Sequence, residues 1–292
     1  MNFQSLFRRI LPPYFQTQKS SPDFIVIGSR MTGMQWLARQ LQSNPRVSLV
    51  PIGEPHHFDY EFLPGRRTSI DRTLKNRMAL LRNEWSVEVS GHQRKRRDLY
   101  LDEMERQPPH SAEWYKKCYQ FPRSRGKLIG EVSPSYLMLP EQGVRAIRSY
   151  VPKVKIVMVV SNPVHNVIDT IRRNLSRQKQ SRLSALDWQK LADDPNLYKP
   201  TEYSRIIPIW DETFGKQITY LPFELMIQEP QEFSKQLFKF LGLKIRENQV
   251  IGRPSVKGME VPPQISKVAA ARTDQENQYL KTRFPAEFCS LC

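Results

Sequence analysis

Asp23-Phe-Ile-Val-Ile-Gly28, running straight into Ser29-Arg-Met-Thr-Gly33, is the stretch on which the fold turns. An unbroken, largely β-branched run ending in glycine reads as a strand covered on both faces, the habit of parallel sheets. Beyond the loop, Met34, Leu37, Ala38 and Leu41 fall on one helical face, so a helix is expected over Thr32–Gln42. Strand, short loop and helix together aim backbone N–H groups and a helix's positive end at one point, which suits an anion. Met34 and Gln35 stand where a nucleoside-triphosphatase loop would have Lys and Ser or Thr, and no GxGxxG is present either. Taken alone, the loop leaves a plain strand-to-helix turn open as an alternative.

The same alternation continues along the chain. Strands are expected at Ser48–Val50, Lys127–Gly130, Lys155–Val160 and Ile218–Leu221. Helices are expected over Glu113–Tyr119, Pro140–Tyr150, Pro163–Arg177 and Tyr203–Phe214, the last with a kink at Pro208. Further helices are expected over Pro230–Leu241, stopped by Gly242, and Thr273–Lys281. Residues 66–107 are basic and irregular, so helices interrupted by loops are expected. Residues 178–200 are polar and read as a loop. The pattern predicts an α/β domain over residues 22–286, a parallel β-sheet flanked by helices with right-handed crossovers. Residues 1–21 read as a flexible leader and 287–292 as a C-terminal tail. Ligands on such sheets bind at the carboxyl ends of the strands.

Charge narrows the partners. Among 292 residues, Lys+Arg number 45 against 29 Asp+Glu, a net charge of +16 that calls for an anionic partner. A hydrophobic share of 39% supports a sizeable core and excludes wholesale disorder. No run approaches the roughly 18 apolar residues of a membrane span, and the longest, Ile156–Val160, reads as a strand. The apolar start is broken by Arg8 and Arg9 and stopped by Pro12 and Pro13, unlike a secretion signal, so a cytoplasmic location is expected. Cys118, Cys289 and Cys292 make no disulfide framework, and Cys289 and Cys292 have the spacing of half a zinc site without a second pair, so no metal is expected. Nucleic acid is disfavoured as a partner, because basic residues are not interleaved with aromatics and no recognition motif appears. The oligomeric state is not written in the sequence.

Three further motifs end strands. Gly53-Glu-Pro-His-His-Phe-Asp59 carries a carboxylate and two imidazoles in one loop, a set suited to proton transfer near neutral pH. His56, His57 and Asp59 also make metal binding a rival, though adjacent histidines on one loop rarely converge on an ion. Gly130-Glu-Val-Ser-Pro-Ser-Tyr136 and Val159-Val-Ser-Asn-Pro-Val164 set small polar groups at strand ends, where ordinary turn chemistry is the bland alternative.

In order, FIVIGSRMTG, GEPHHFD, EWY, GEVSPSYL, the strand–SNPV–helix, TYLPFELMIQEP and FLGL resemble the sulfotransferases that use 3′-phosphoadenosine 5′-phosphosulfate (PAPS), especially the heparan-sulfate-type and related bacterial branch. The resemblance spans about residues 23–285. It implies the sulfotransferase variant of the P-loop nucleoside-triphosphatase architecture, with PAPS as co-substrate and no metal. It implies that Gly28, Ser29, Arg30, Met31, Thr32, Gly33, Met34 and Gln35 cradle the donor's 5′-phosphosulfate. Glu54 would be the general base, with His56 beside it. Ser161 and Asp169 fall where the 3′-phosphate is usually held, and Lys257-Gly258 where a late loop closes over the nucleotide.

This chain departs from the pattern at five places. Met31 replaces a Lys that neutralises the departing oxygen. Gly53 and Val132 stand where Lys is common, Ser161 where Arg is expected, and Asp169 where Ser is expected. Each lost cation would cost about 2–4 kcal/mol in the transition state by analogy with lost oxyanion donors. Arg30, Lys257 or a side chain from residues 66–97 would compensate, and Arg172 or Arg173 would have to pair with Asp169. The expectation is sulfuryl transfer to a hydroxyl or amine of a glycan or small molecule. The acceptor would be acidic if the basic stretch 66–97 faces it. The alternative is a catalytically silent relative that binds and does not transfer.

Overall fold

The opening run forms β1, Phe24–Gly28, and every one of its residues is buried. In the computed structural model, which describes residues 20–30, 33–88, 91–121, 126–178, 184–244, 252 and 261–292, β1 is the central strand of a five-stranded sheet. The others are β2 (Val47–Leu49), β3 (Leu128–Val132), β4 (Lys155–Val160) and β5 (Ile218–Pro222), in spatial order β2-β3-β1-β4-β5. All pairings are parallel, and Phe24 lies opposite Gly130 on one side and Lys155 on the other.

Successive residues of a strand point to opposite faces, and here they sort into two cores. Phe24, Val26, Val157 and Val159 pack with Trp36, Leu37, Phe233 and Phe238. Ile25, Ile27, Ile156 and Met158 pack with Phe58, Tyr115, Tyr136 and Trp210. Gly130 has a steric reason to be glycine: the Phe24 ring lies across it, and a Cβ there would sit 2.3 Å from that ring.

Helices follow in chain order as α1 (Met34–Ser43), α2 (His57–Phe62), α3 (Arg67–Glu88), α4 (His92–Arg106), α5 (Ala112–Cys118), α6 (Glu141–Tyr150), α7 (Pro163–Gln178), α8 (Ala185–Asp193), α9 (Tyr203–Phe214), α10 (Phe223–Gln228), α11 (Pro230–Leu241), α12 (Pro263–Arg272), α13 (Asp274–Arg283) and α14 (Ala286–Ser290). Among the described residues no helix is long and apolar enough to cross a membrane. α9 continues through Pro208. The basic stretch is two helices, α3 and α4, and much of its charge is spent internally: Arg82 meets Glu105 at 2.6 Å and Asp102 at 2.9 Å.

Two expectations are corrected. Residues 178–200 are not simply a loop: α8 opens on a capping box in which Ser184 and Asp187 bond each other's backbone N–H groups. Its Ala192 joins a small core with Ile171 and Leu175 of α7 and Ile265 and Ala269 of α12, a helix the periodicity did not reveal. The last residues are packed elements of the fold. Phe288 of α14 stacks on Phe284 at 4.2 Å, the Leu291 carbonyl accepts from the Glu224 N–H at 2.8 Å, and Cys292 is buried.

Candidate active site

The carboxyl ends of β1, β2, β3 and β4 each deliver part of one site. After β1, the chain turns at Gly28, and Gly33 opens α1 from a left-handed conformation at φ 61°, one that glycine adopts without a Cβ penalty. Ser29 is buried and donates to Asn166 Oδ1 at 2.8 Å, and Asn166 donates to Ser161 Oγ at 2.9 Å. The Ser161 N–H donates to the Tyr203 hydroxyl at 3.2 Å, a phenol pushed up to about 12, mainly by burial. This polar chain ties the first loop to the end of β4 and the start of α7.

Arg30 leaves the same loop in the other direction and reaches Glu54, Nη2 to Oε2, at 3.2 Å. Glu54 follows β2 and is half-buried. Its Oε2 also accepts from Ser135 Oγ at 3.0 Å and lies 3.7 Å from His56 Nε2. Ser135 comes from the short turn after β3, Pro134–Met138. His56 sits at φ 55°, a left-handed conformation uncommon for a non-glycine residue, which turns its ring back to Asp59 at 2.8 Å. Burial raises the Asp59 carboxyl, but the hydrogen bond and charge of His56 and the charge of Arg66, 3.7 Å away, outweigh it and hold the pKa below its ordinary value. With Nδ1 protonated, His56 is thereby fixed in tautomer and orientation.

The second histidine of the motif goes elsewhere. His57 Nδ1 meets the His110 carbonyl at 2.7 Å, and its ring stacks on Tyr115 at 4.6 Å. The two imidazoles therefore diverge instead of sharing an ion. His110, at φ 62°, places its Nδ1 3.3 Å from the Pro55 carbonyl. With Nδ1 of both rings protonated, His110 braces the loop twice: it donates to Pro55, next to Glu54, and its carbonyl accepts from His57. Burial is the largest influence on both rings and holds each pKa below its ordinary value. Beneath the site, Glu131 on β3 is wholly buried and accepts from the Tyr119 hydroxyl at 2.7 Å. Burial pushes its pKa up to about 8.

Two cavities flank Glu54. The first, about 440 Å³, is lined by the β1 loop, His56, Ser135, Arg66 and Arg72, and Thr170 and Arg173 of α7. The second, about 550 Å³, is lined by Glu54 itself, Met34 and Gln35 of α1, Trp85 and Arg97 of α3 and α4, and Phe121. Pro134 belongs to both.

Of the residues expected at the site, Gly28, Ser29, Arg30, Glu54 and His56 come together. Met34 and Gln35 lie on the second cavity, and Gly33 caps α1. Ser161 is buried in the hydrogen-bonded chain described above. Asp169 meets Arg172 at 2.9 Å, the pairing that a carboxylate at that position requires. Met31, Thr32, Lys257 and Gly258 lie outside the described residues. Sequence reasoning passed over Asn166 and His110, reached Ser135 only as part of the Gly130–Tyr136 motif, and named Asp59 only as a possible metal ligand. The spacing of Asp59, three residues after His56 at the mouth of a helix, was the available signal.

Fold and site define an α/β protein whose first loop carries Arg30 and whose second loop presents a braced carboxylate beside it. The sulfotransferase family model matches residues 22–247, and the chain belongs to that family. Among solved structures, a sulfotransferase from Alicyclobacillus acidocaldarius is 19% identical with a TM-score of 0.60, over 90% of this chain and 95% of that one. A sulfotransferase from Mycobacterium avium is 11% identical with a TM-score of 0.47, over 93% of this chain and 80% of that one. The first likeness is one of fold: a parallel sheet flanked by helices in the P-loop-like arrangement. No curated protein sequence matches the chain.

Proposed function

We propose that the protein transfers a sulfuryl group from PAPS to a hydroxyl or amine of a glycan or small molecule, with Glu54 as general base. The observation that carries this reading is the contact between Arg30 on the β1 loop and Glu54 on the β2 loop at 3.2 Å. It joins an anion-receptive loop to a proton acceptor across one short gap. Arg30 supports a donor bound with its reacting end at the β1 loop, because its guanidinium lies beside Glu54 and lines the adjoining cavity. At the far end, the repulsion expected from Asp169 is offset by Arg172.

When bound, the donor supplies an activated sulfuryl group whose leaving group is adenosine 3′,5′-bisphosphate. Glu54 takes the acceptor's proton. Ser135 and Arg30 both bond its Oε2, which leaves Oε1 to take the proton. Asp59 fixes His56, and His56 with Ser135 limits the swing of the Glu54 carboxylate. Arg30, beside the base, would offset charge on the transferring group and supply part of what Met31 does not, because such transfer relies on positioning and electrostatics.

The test is donor binding by calorimetry at low salt, followed by transfer of labelled sulfate to a panel of acceptors. Glu54→Gln should leave donor affinity intact and lower kcat by roughly 10²- to 10⁴-fold. Absence of PAPS binding by the unaltered protein overturns the reading. A silent relative is the second reading, favoured by the buried, hydrogen-bonded Ser161 hydroxyl at a position where a cation is expected. It predicts that Met31→Lys creates donor binding where the unaltered protein has none.

A further inference from the structure

The cavity beside the β1 loop has an uneven charge. Among the described residues, Arg30, Arg66, Arg72 and Arg173 line it and no carboxylate does, while Ser69, Thr73 and Thr170 add hydroxyls. Two of these guanidinium groups keep donors that no described residue takes up. Arg72 is exposed on α3 and makes no hydrogen bond or ion pair with another described residue. Arg66 has its Nη1 3.7 Å from Asp59, buried and without a hydrogen bond. Burial presses the Arg66 pKa down, as does the charge of Arg30 nearby. Cations gathered in a partly enclosed space repel one another, and an oxyanion among them relieves that repulsion and takes up their N–H donors.

Two molecules of the proposed reaction carry oxyanions, the donor and an acidic acceptor. The walls of the cavity favour the acceptor. His56 and Ser135, both within reach of Glu54 Oε2, face this space, so a molecule filling it lies against the base's own partners. Ser161 and Asp169 do not line it. Arg66 comes from the turn before α3 and Arg72 from its early residues, and with Arg30 of the β1 loop they line one space.

Resting on the transferase reading above, we propose that this cavity is the acceptor's anion subsite: Arg72, with Arg66 and Arg173, binds a sulfate or carboxylate on the same molecule that presents its hydroxyl or amine to Glu54. Arg72 is then a specificity-determining residue. Acceptors carrying such a group are selected over neutral ones, because an anion gains charge-assisted hydrogen bonds to Arg72 and Arg66 that a neutral acceptor does not.

Sodium sulfate is the probe, titrated by calorimetry and read by melting temperature, against sodium chloride at matched ionic strength. The unaltered protein should bind sulfate. Arg72→Gln should bind it roughly ten- to a hundredfold more weakly, the loss expected for one charge-assisted hydrogen bond. Arg72→Lys should fall between. Repeating the titration in saturating adenosine 3′,5′-bisphosphate separates the two sources: sulfate that still binds belongs to the acceptor subsite, and sulfate that is competitively displaced belongs to the donor and overturns the proposal. Failure of the unaltered protein to bind sulfate, or equal binding by Arg72→Gln, also overturns it. A protein that binds sulfate through Arg72 but no bisphosphate would count against the transferase reading and not against the anion subsite.

Discussion

His110 shows how far from the chemistry a single side chain can act. It stands beyond α4, yet its ring meets the Pro55 carbonyl and its own carbonyl takes the His57 ring, on either side of His56. If it is a positioning residue, the donor N–H and the left-handed backbone both matter. Asn has an N–H near the place of Nδ1 and tolerates φ 62°, so His110→Asn should keep most of the activity. His110→Gly accepts the backbone but has no donor, and should lower kcat about ten- to a hundredfold with KM for the donor unchanged. Equal kinetics for the two variants would refute the brace. Glu131 makes a separate prediction. Its folded pKa of about 8 lies above the ordinary 4.5, through burial first and the charges of Asp59 and Glu54 after it. Its contribution to stability is therefore fully present below about 4.5 and is lost as pH rises through about 8. The melting temperature should fall between pH 6 and pH 9, and Glu131→Gln, which still accepts from Tyr119, should flatten that fall; parallel curves would sink the idea. Glu54 and His56 were legible because residue type and a strand-ending loop sufficed. Ser161 was legible only as a position, since its burial against Tyr203 joins residues 42 apart.

Among elements, β1 with its neighbour β3 carries the architecture. Gly130→Ala would drive a methyl group to 2.3 Å from the Phe24 ring. The ring is buried in the core and the strands are paired, so the misfit has little room to relax, and a loss of about 1–3 kcal/mol is expected by chemical denaturation. Gly130→Ala together with Phe24→Leu should recover part of it, because the flat ring is the obstacle. An unchanged midpoint for the single variant would contradict this packing. Strands were readable because their apolar runs are short, continuous and bounded by turns. α8 and α12 were not, because each is brief and buries its face against the other and α7, contacts that no local window contains. The Ser184–Asp187 box was visible in the letters, but the polar surroundings masked it.

Across the whole molecule, the sheet order places the first strand made at the centre. β1 pairs on one side with β3, whose Gly130 lies 106 residues after Phe24, and on the other with β4, whose Lys155 lies 131 residues after it. Neither neighbour exists while the amino-terminal part of the chain is emerging from the ribosome. At roughly 5–20 residues per second, Phe-Ile-Val-Ile-Gly waits on the order of ten seconds for its partners. During synthesis the nascent protein thus carries a naked, sticky pentapeptide, and what shelters it before residue 160 appears decides how much of the product escapes aggregation.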